Sequence, residues 1–294
     1  MRFIHRKNID PVKWDELVER SGGAVFSTAT YLDAVAQNWA ILIEGDYKSG
    51  IALPYTERFG VKTLYTPVFL RYLEFLNGKV GEKELQLIQS HFSIGELQIR
   101  NIQGSFSSIE KQFQEIRTAE QYRLNEQGRR MVRKFEKSDL HWDEVEDTEH
   151  VLQSIASELP KKISSLNSSM NELRKLTMNL KANGCLKTFV VKQNDLVLGG
   201  IFFVEFGDRV LYLKSAFTHE AKQSGAMYAI LDKMIQSALE KGKVFDFGGS
   251  NVENVRRFNL HFGAEDVKYQ SVQWGELPFW YKFLKRLRQV LKRG

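Results

Sequence analysis

The residues whose types and spacing best suit chemistry lie between positions 211 and 264. Leu211-Tyr-Leu-Lys-Ser-Ala-Phe-Thr218 is a strand-like run that leads through Lys222-Gln-Ser-Gly-Ala-Met227 into an amphipathic helix. A helix start after a small-residue turn offers free N–H groups and the positive end of the helix dipole, which favour a phosphate. Gly225 and Ala226 would let a pyrophosphate come close, and Lys222 would add charge. Asp246 ends the next apolar run, Lys243 to Phe247. It would either handle a proton or hold a loop by accepting backbone N–H groups. Tyr212 and His219 are the other candidates for proton work. Gly248 and Gly249 would let backbone approach a ligand or a neighbouring strand. Ser250-Asn-Val-Glu253 has the pattern of a helix capping box, which makes Glu253 a cap rather than a base.

Other chemistries fail on context. Asp246-Phe247-Gly248 matches a kinase metal-binding triplet, but the chain has no catalytic-loop or glycine-rich partner motif. His219 and His261 lack metal-ligand spacing and are expected on the surface, so no metal is expected. The single cysteine, Cys185, rules out a disulfide framework and a cysteine zinc site. Upstream, Glu126 to Lys137 reads as a helix with Arg129, Arg130, Arg133, Lys134 and Lys137 on one face. Met131, Val132 and Phe135 lie on the other. Arginines so spaced could bind carboxylate or phosphate; a merely solvated face is the alternative.

The elements that must position these groups fall into two similar halves. In the first, Ala40–Glu44, Ile51–Arg58 and Lys62–Phe69 read as a three-stranded meander, followed by a helix over 82–92 and a strand over 96–102. In the second, 187–192, 197–206 and 210–218 repeat the meander, followed by a helix over 224–241 and a strand over 243–247. The last strand of each half must lie parallel to its predecessor, because a helix separates them. The expected class is α+β, with a mixed, mostly antiparallel sheet flanked by helices in each of two tandem domains. They span 1–125 and 126–278, with a tail over 279–294. The basic helix stands at the junction, where a cleft would form.

Lys222-Gln-Ser-Gly-Ala-Met227 and Phe245-Asp-Phe-Gly-Gly-Ser250, with Arg257-Phe-Asn-Leu-His-Phe-Gly-Ala264, resemble the second half of FemABX-like proteins. Arg129-Arg-Met-Val-Arg-Lys134 and Leu140-His-Trp-Asp-Glu-Val145 resemble the family's segment joining its halves. The resemblance implies two tandem GNAT-type folds and transfer of an acyl or aminoacyl group to an amine. The donor would be acyl-coenzyme A or, in other members, aminoacyl-tRNA used on a peptidoglycan precursor. It also implies that Lys214, Ser215, Ala216 and Phe217 hold a pantetheine arm, and that Lys222, Gly225, Ala226 and Met227 hold its pyrophosphate. Asp246, Gly248, Gly249, Ser250 and Asn251 would lie near the acceptor, a small-molecule or lipid-linked amine. Asn259 stands where the family often has lysine, which tells against the tRNA-dependent members. A non-catalytic tandem GNAT protein that binds a ligand or joins an assembly is the competing class.

Charge narrows the partners. Of 294 residues, 42 are Lys or Arg and 36 are Asp or Glu, a net charge of +6. Lys282, Lys285, Arg286, Arg288, Lys292 and Arg293 account for that excess, beside an apolar stripe of Trp280, Phe283, Leu284, Leu287 and Leu291. Such a tail would suit an anionic membrane surface or a helix docked on the core. No export signal or membrane span is legible, so the expected place is the cytoplasm, with the tail at the inner face of the membrane. Nucleic acid other than tRNA is not expected, because the basic helix lacks interleaved aromatics.

Overall fold

The computed structural model describes residues 1–158, 164–248 and 252–276. The chain divides into two units, Met1–Glu110 together with the segment from Tyr269 onward, and Lys111–Lys268. The first contains β1 (Arg2–His5), α1 (Pro11–Arg20), α2 (Ala29–Val35), β2 (Asn38–Glu44), β3 (Ser49–Arg58), β4 (Val61–Leu64), α3 (Glu82–His91) and β5 (Ile94–Ile99). β6 (Ser108–Ile116) leads into the second, which continues with α4 (Glu126–Glu136), β7 (Leu140–Glu144), α5 (Glu149–Glu158), α6 (Ser164–Ala182) and β8 (Leu186–Gln193). Then come β9 (Leu196–Phe206), β10 (Arg209–Phe217), α7 (His219–Ser224), α8 (Ala226–Glu240), β11 (Val244–Asp246), α9 (Glu253–Leu260) and β12 (Glu265–Trp274).

The two units share one strand pattern. In the first, β1, β2, β3 and β4 are antiparallel neighbours and β5 lies parallel to β4. In the second, β7, β8, β9 and β10 are antiparallel neighbours and β11 lies parallel to β10. Each parallel step follows a helical crossover, α3 in one unit and α8 in the other, as chain geometry requires. The sixth strands are exchanged. β6, which follows β5 in sequence, pairs with β11, while β12, which follows β11, pairs with β5. Both units are therefore α+β, with a mixed and mostly antiparallel sheet flanked by helices.

Local chemistry explains the element boundaries. Asp10 caps α1 by accepting the N–H groups of Val12 and Lys13 at 3.0 and 3.2 Å, with Pro11 at the first helical position. Trp14, fully buried, donates its indole N–H to the Ser27 carbonyl at 2.7 Å. In the second unit Phe189, Ile201, Phe203, Val210 and Phe245 meet Ala226, Ile230, Leu231 and Ile235 of α8 in a common core.

One expected boundary needs correction. The strand expected over Lys62–Phe69 stops at Leu64, because Pro67 has no donor for a ladder and turns the chain through the Leu70 N–H to its own carbonyl. The helix expected over 224–241 is α8, Ala226–Glu240, and the short α7 precedes it across Gly225, which has φ 93°. The strands β1, β6, β7 and β12 were not among the expected elements. The tail over 279–294, with its expected anionic surface, lies outside the described residues.

Candidate active site

β10 is paired unequally on its two sides. Toward β9 it is paired from Arg209 to Phe217, with Leu213 as an extra residue between the Tyr212–Phe203 and Lys214–Phe202 partners. Toward β11 the partners are only Arg209–Val244, Val210–Phe245 and Leu211–Asp246. Past Leu211, no described strand covers that side of β10. The bulge also redirects side chains. Residues three apart normally face opposite sides of a strand, but the inserted Leu213 places Ser215 on the Tyr212 face. There the Tyr212 hydroxyl and Ser215 Oγ are hydrogen-bonded at 2.6 Å. Burial pushes the Tyr212 phenol above its ordinary value, against the opposing effect of the Ser215 hydrogen bond. Tyr212 therefore keeps its proton at neutral pH and serves as a donor, not a base. Lys214 is exposed, Ser215 half-buried, and Ala216 and Phe217 buried.

The turn after β10 is not an open loop. Thr218 caps α7, accepting the Ala221 N–H on Oγ1 at 3.3 Å and the Lys222 N–H on its carbonyl at 3.0 Å. The Gly225 N–H is taken by the Ala221 carbonyl. These donors are thus spent within the helix. A Cβ on Gly225 would overlap the carbonyl oxygen of Met131, so the bare glycine admits α4. Ala226 is fully buried and Met227 half-buried in the same packing. Lys222 forms an ion pair with Glu158 at the end of α5.

The three proton-work candidates do not converge. Asp246 shares a sheet face with its partner Leu211, so it faces away from Tyr212. It is 2% exposed, and its Oδ1 accepts the Gly248 N–H at 2.9 Å across a glycine with φ 77°. This is the loop-holding geometry, one of the two roles its sequence position allows. His219 opens α7 and is exposed. His261, expected at the surface, is half-buried: its Nδ1 lies 2.8 Å from the Tyr228 hydroxyl and the two rings stack. Arg129, Arg130 and Arg133 are exposed along α4, and Arg129 turns back to the Leu124 carbonyl at 2.7 Å. Gly249, Ser250 and Asn251 lie outside the described residues. Glu253 is the first residue of α9, with Val252 as N-cap. It pairs with Arg257 at 3.0 Å and does not close a capping box, because the helix starts too late for one.

Sequence reasoning missed a buried network behind β11. Asn259 donates to Gln114 Oε1 at 2.9 Å, Gln114 donates to Asp266 Oδ1 at 2.9 Å, and Arg256 holds Asp266 at 2.6 Å. Asn259, 1% exposed, is therefore a structural amide in a place too dry for a free cation. The alternation of Ser108–Ile116 was the signal that a strand carried Gln114 there.

The strand pattern, with a bulged β10 splayed from a parallel β11, is the ground for comparison with known proteins. Residues 123–268 match the acetyltransferase (GNAT) domain family. The second unit is a GNAT-type acyltransferase domain. Among solved structures, FemX is 12% identical, covering 92% of this chain and 97% of its own, with a TM-score of 0.63. L-PGS from Bacillus licheniformis is 12% identical over 95% and 96%, at 0.55. A tandem GNAT protein from the clavulanic acid biosynthesis pathway is 9% identical over 94% and 99%, at 0.51. Among curated proteins, none matches. The chain as a whole is FemABX-like in fold, and the GNAT-type domain over 123–268 makes it an acyltransferase. An acyl-coenzyme A donor fits this domain in part: no described strand covers the edge of β10 past Leu211, which suits an extended arm, while the Met131 carbonyl occupies one side of Gly225. Among the described residues, no helix is long and apolar enough to cross a membrane.

Proposed function

We propose that the protein transfers an acyl group from a thioester of the coenzyme A type to an amine. One observation carries this reading: β10 is fully paired toward β9 but left uncovered beyond Leu211 toward β11. An extended amide-bearing arm can lie along that edge as a strand would, bringing its thioester carbonyl to the bulge at Leu213. There the neutral amine nitrogen attacks the carbonyl carbon, the carbon–sulfur bond breaks, and the departing sulfur takes up the proton that the amine gives up, leaving as the thiol. The Tyr212 hydroxyl, held by Ser215, donates a hydrogen bond to the oxygen or sulfur on which negative charge develops. No covalent enzyme intermediate is required.

A small-molecule or lipid-linked amine fits this chemistry as acceptor. The test is release of free thiol from short- and long-chain acyl thioesters across a panel of amines. Turnover that falls in Tyr212→Phe supports the reading. A folded protein that turns over no thioester but transfers from aminoacyl-tRNA replaces the donor. One that does neither favours a non-catalytic, ligand-binding role.

A further inference from the structure

We propose that the amine acceptor carries a second, non-reacting ammonium group, and that Glu158 holds this group in the cavity between α5, the start of β9 and the end of β10. This deepens the acyl-transfer reading above and rests on it. The cavity has a volume of about 290 Å³ and is lined by Ser154, Ser157 and Glu158 of α5 and by Val197, Leu198 and Phe217 of the two strands. That is the low end of the range for small-molecule sites, roughly 300–1,000 Å³. It suits one end of a short aliphatic chain.

The polar part of the wall accepts hydrogen bonds and offers few. Ser154 Oγ donates to the His150 carbonyl at 2.9 Å, and Ser157 Oγ donates to the Ser154 carbonyl at 2.8 Å. Both hydroxyl protons are spent inside the helix, so the two oxygens present only lone pairs. Among the described residues Glu158 is the one charged side chain in the lining. Lys222 of α7 donates to its Oε1, while Oε2 has no hydrogen-bond partner among the described residues. A carboxylate has about four lone-pair sites, so Lys222 fixes the group and leaves room for a second cation. Acceptor atoms beside a carboxylate suit an ammonium, and Val197, Leu198 and Phe217 suit the methylenes behind it.

The same chemistry says which nitrogen this is. A carboxylate partner keeps an ammonium charged, and a charged nitrogen has no lone pair with which to attack a thioester. The group held by Glu158 is therefore not the nucleophile. Ser215, which bonds the Tyr212 hydroxyl at 2.6 Å, precedes Phe217 by two residues, about 7 Å along a strand. A chain of a few methylenes spans that distance and brings a second, neutral amine to the reacting carbonyl. Burial first, and then the Glu158 carboxylate, push the Tyr212 phenol upward against the Ser215 hydrogen bond, so the charge on Glu158 is felt at that hydroxyl.

Titration calorimetry of the full chain with 1,5-diaminopentane, in the absence of donor, tests the site, with 1,5-pentanediol as the uncharged control. The diamine should bind and the diol should not. Glu158→Gln keeps the shape and removes the charge, and should weaken the diamine by about tenfold or more, the scale of one hydrogen bond to a charged group. Lys222→Ala should leave the affinity equal or tighten it, because it removes a competing cation. An ion pair that merely shapes the cavity would lose binding in both variants alike. Circular dichroism checks that each variant is folded. No binding of the diamine, equal binding of the diol, an unaltered affinity in Glu158→Gln, or a loss in Lys222→Ala as large as that in Glu158→Gln overturns the assignment. Thiol release separates the two readings. Turnover of n-pentylamine and the diamine with equal kcat/KM removes the anchored ammonium alone, while diamine binding through Glu158 without thiol release removes the transfer reaction alone.

Discussion

The two units reach the same strand order and differ in what happens beside the parallel pair. In the second, β10 and β11 part after Leu211, and the described chain passes directly into α7. In the first, β4 and β5 share only the Thr63–Ile94 and Leu64–Gly95 partners, but the chain returns to fill the gap. Leu73 donates its N–H to the Gln98 carbonyl at 2.8 Å and accepts the Arg100 N–H at 3.1 Å, forming a parallel bridge to Ile99. Val80 does the same one step on, with Asn101 and Gln103 at 3.0 and 2.8 Å. Tyr72, Leu73 and Leu76 are buried there. One fold thus offers a binding edge or a sealed one, according to whether the connector returns to the sheet. Unpaired backbone is costly unless something covers it; the first unit uses its own chain, and in the second no described strand does so.

The largest expected contrast comes from the glycine that opens the crossover helix in each unit. Gly225→Ala places a Cβ into the Met131 carbonyl at a positive φ, so it should destabilise the second unit by about 3 kcal/mol. Gly81→Ala at the start of α3 meets only the flexible end of Glu84 at an ordinary φ of −98°, and should cost less than about 1 kcal/mol. Urea unfolding compares the two. Equal costs would mean that α4 does not depend on the bare glycine.

Next comes the same deletion of a hydroxyl in both units. Tyr212→Phe removes the 2.6 Å bond to Ser215 at the uncovered edge, and should lower kcat for acyl transfer by about 10- to 100-fold. Tyr72→Phe removes an oxygen that the Arg100 guanidinium meets at 3.5 Å in the sealed gap. It should leave kcat within about twofold, with a stability change of about 1 kcal/mol or less. Similar losses of kcat from both variants would end the distinction between an open and a sealed gap.

Much of this contrast was legible in the residues, and some of it was not. The turns at Gly207-Asp208 and Asn194-Asp195 punctuate the second meander cleanly, and the parallel last strands followed from chain geometry alone. The seal in the first unit was invisible, because residues 65–81 have no period. Leu73 is distinguished only by backbone bonds to a strand 26 positions away. Gly225 reads the same in sequence whether a ligand or another helix lies against it, and the Met131 carbonyl beside it has no local mark. Asp246 and Tyr212 lie 34 positions apart in sequence, and only the β10–β11 register shows that they occupy opposite faces. The exchange of β6 and β12 was also hidden, since pairing partners over such separations leave no local mark.

Acid should act on the two units with opposite sign. Burial pushes the Asp15 carboxyl up to about 6, with Glu19 and Asp33 adding to the rise, while the Ala29 N–H and Arg6 oppose it. A folded value above the unfolded 3.8 means that the first unit binds this proton more tightly than the unfolded chain does. Its stability should therefore rise as pH falls from about 6 to about 4. Asp15→Asn should remove that rise and stabilise the unit at pH 7 by about 1–2 kcal/mol, a figure reduced for the partial exposure of the group. Asp266 behaves oppositely: the Arg256 hydrogen bond, aided by Gln114, outweighs burial and holds its carboxyl below 3.8. Its contribution is present above that value and is lost as pH falls through the lowered one. Hydrogen exchange corrected for intrinsic rates should show α1 and α2 gaining protection between pH 6 and 4, and α9 losing it only below about 4. Parallel changes in both units would refute the opposed signs.

The smallest effects separate two exposed ion pairs that look alike. Arg6 grips Asp33 with two bonds of 2.7 Å, and that carboxylate also accepts the Trp39 indole N–H at 2.8 Å while the guanidinium lies over the Trp39 ring. Arg6→Ala removes a bidentate interaction and leaves Asp33 with the Trp39 indole N–H, so it should cost about 1 kcal/mol. Lys222 meets Glu158 through a single ammonium, with about half of each side chain exposed. An ammonium there gives up hydration and rotamer freedom for one screened interaction, so Lys222→Ala should change stability by about 0.5 kcal/mol or less, and less still in high salt. Double-mutant cycles with Glu158→Ala and Asp33→Ala measure both couplings. A coupling for Lys222–Glu158 as large as that for Arg6–Asp33 would mean that the pair fixes α7 against α5; a negligible one leaves Thr218 and Met131 as the groups that hold α7 in place.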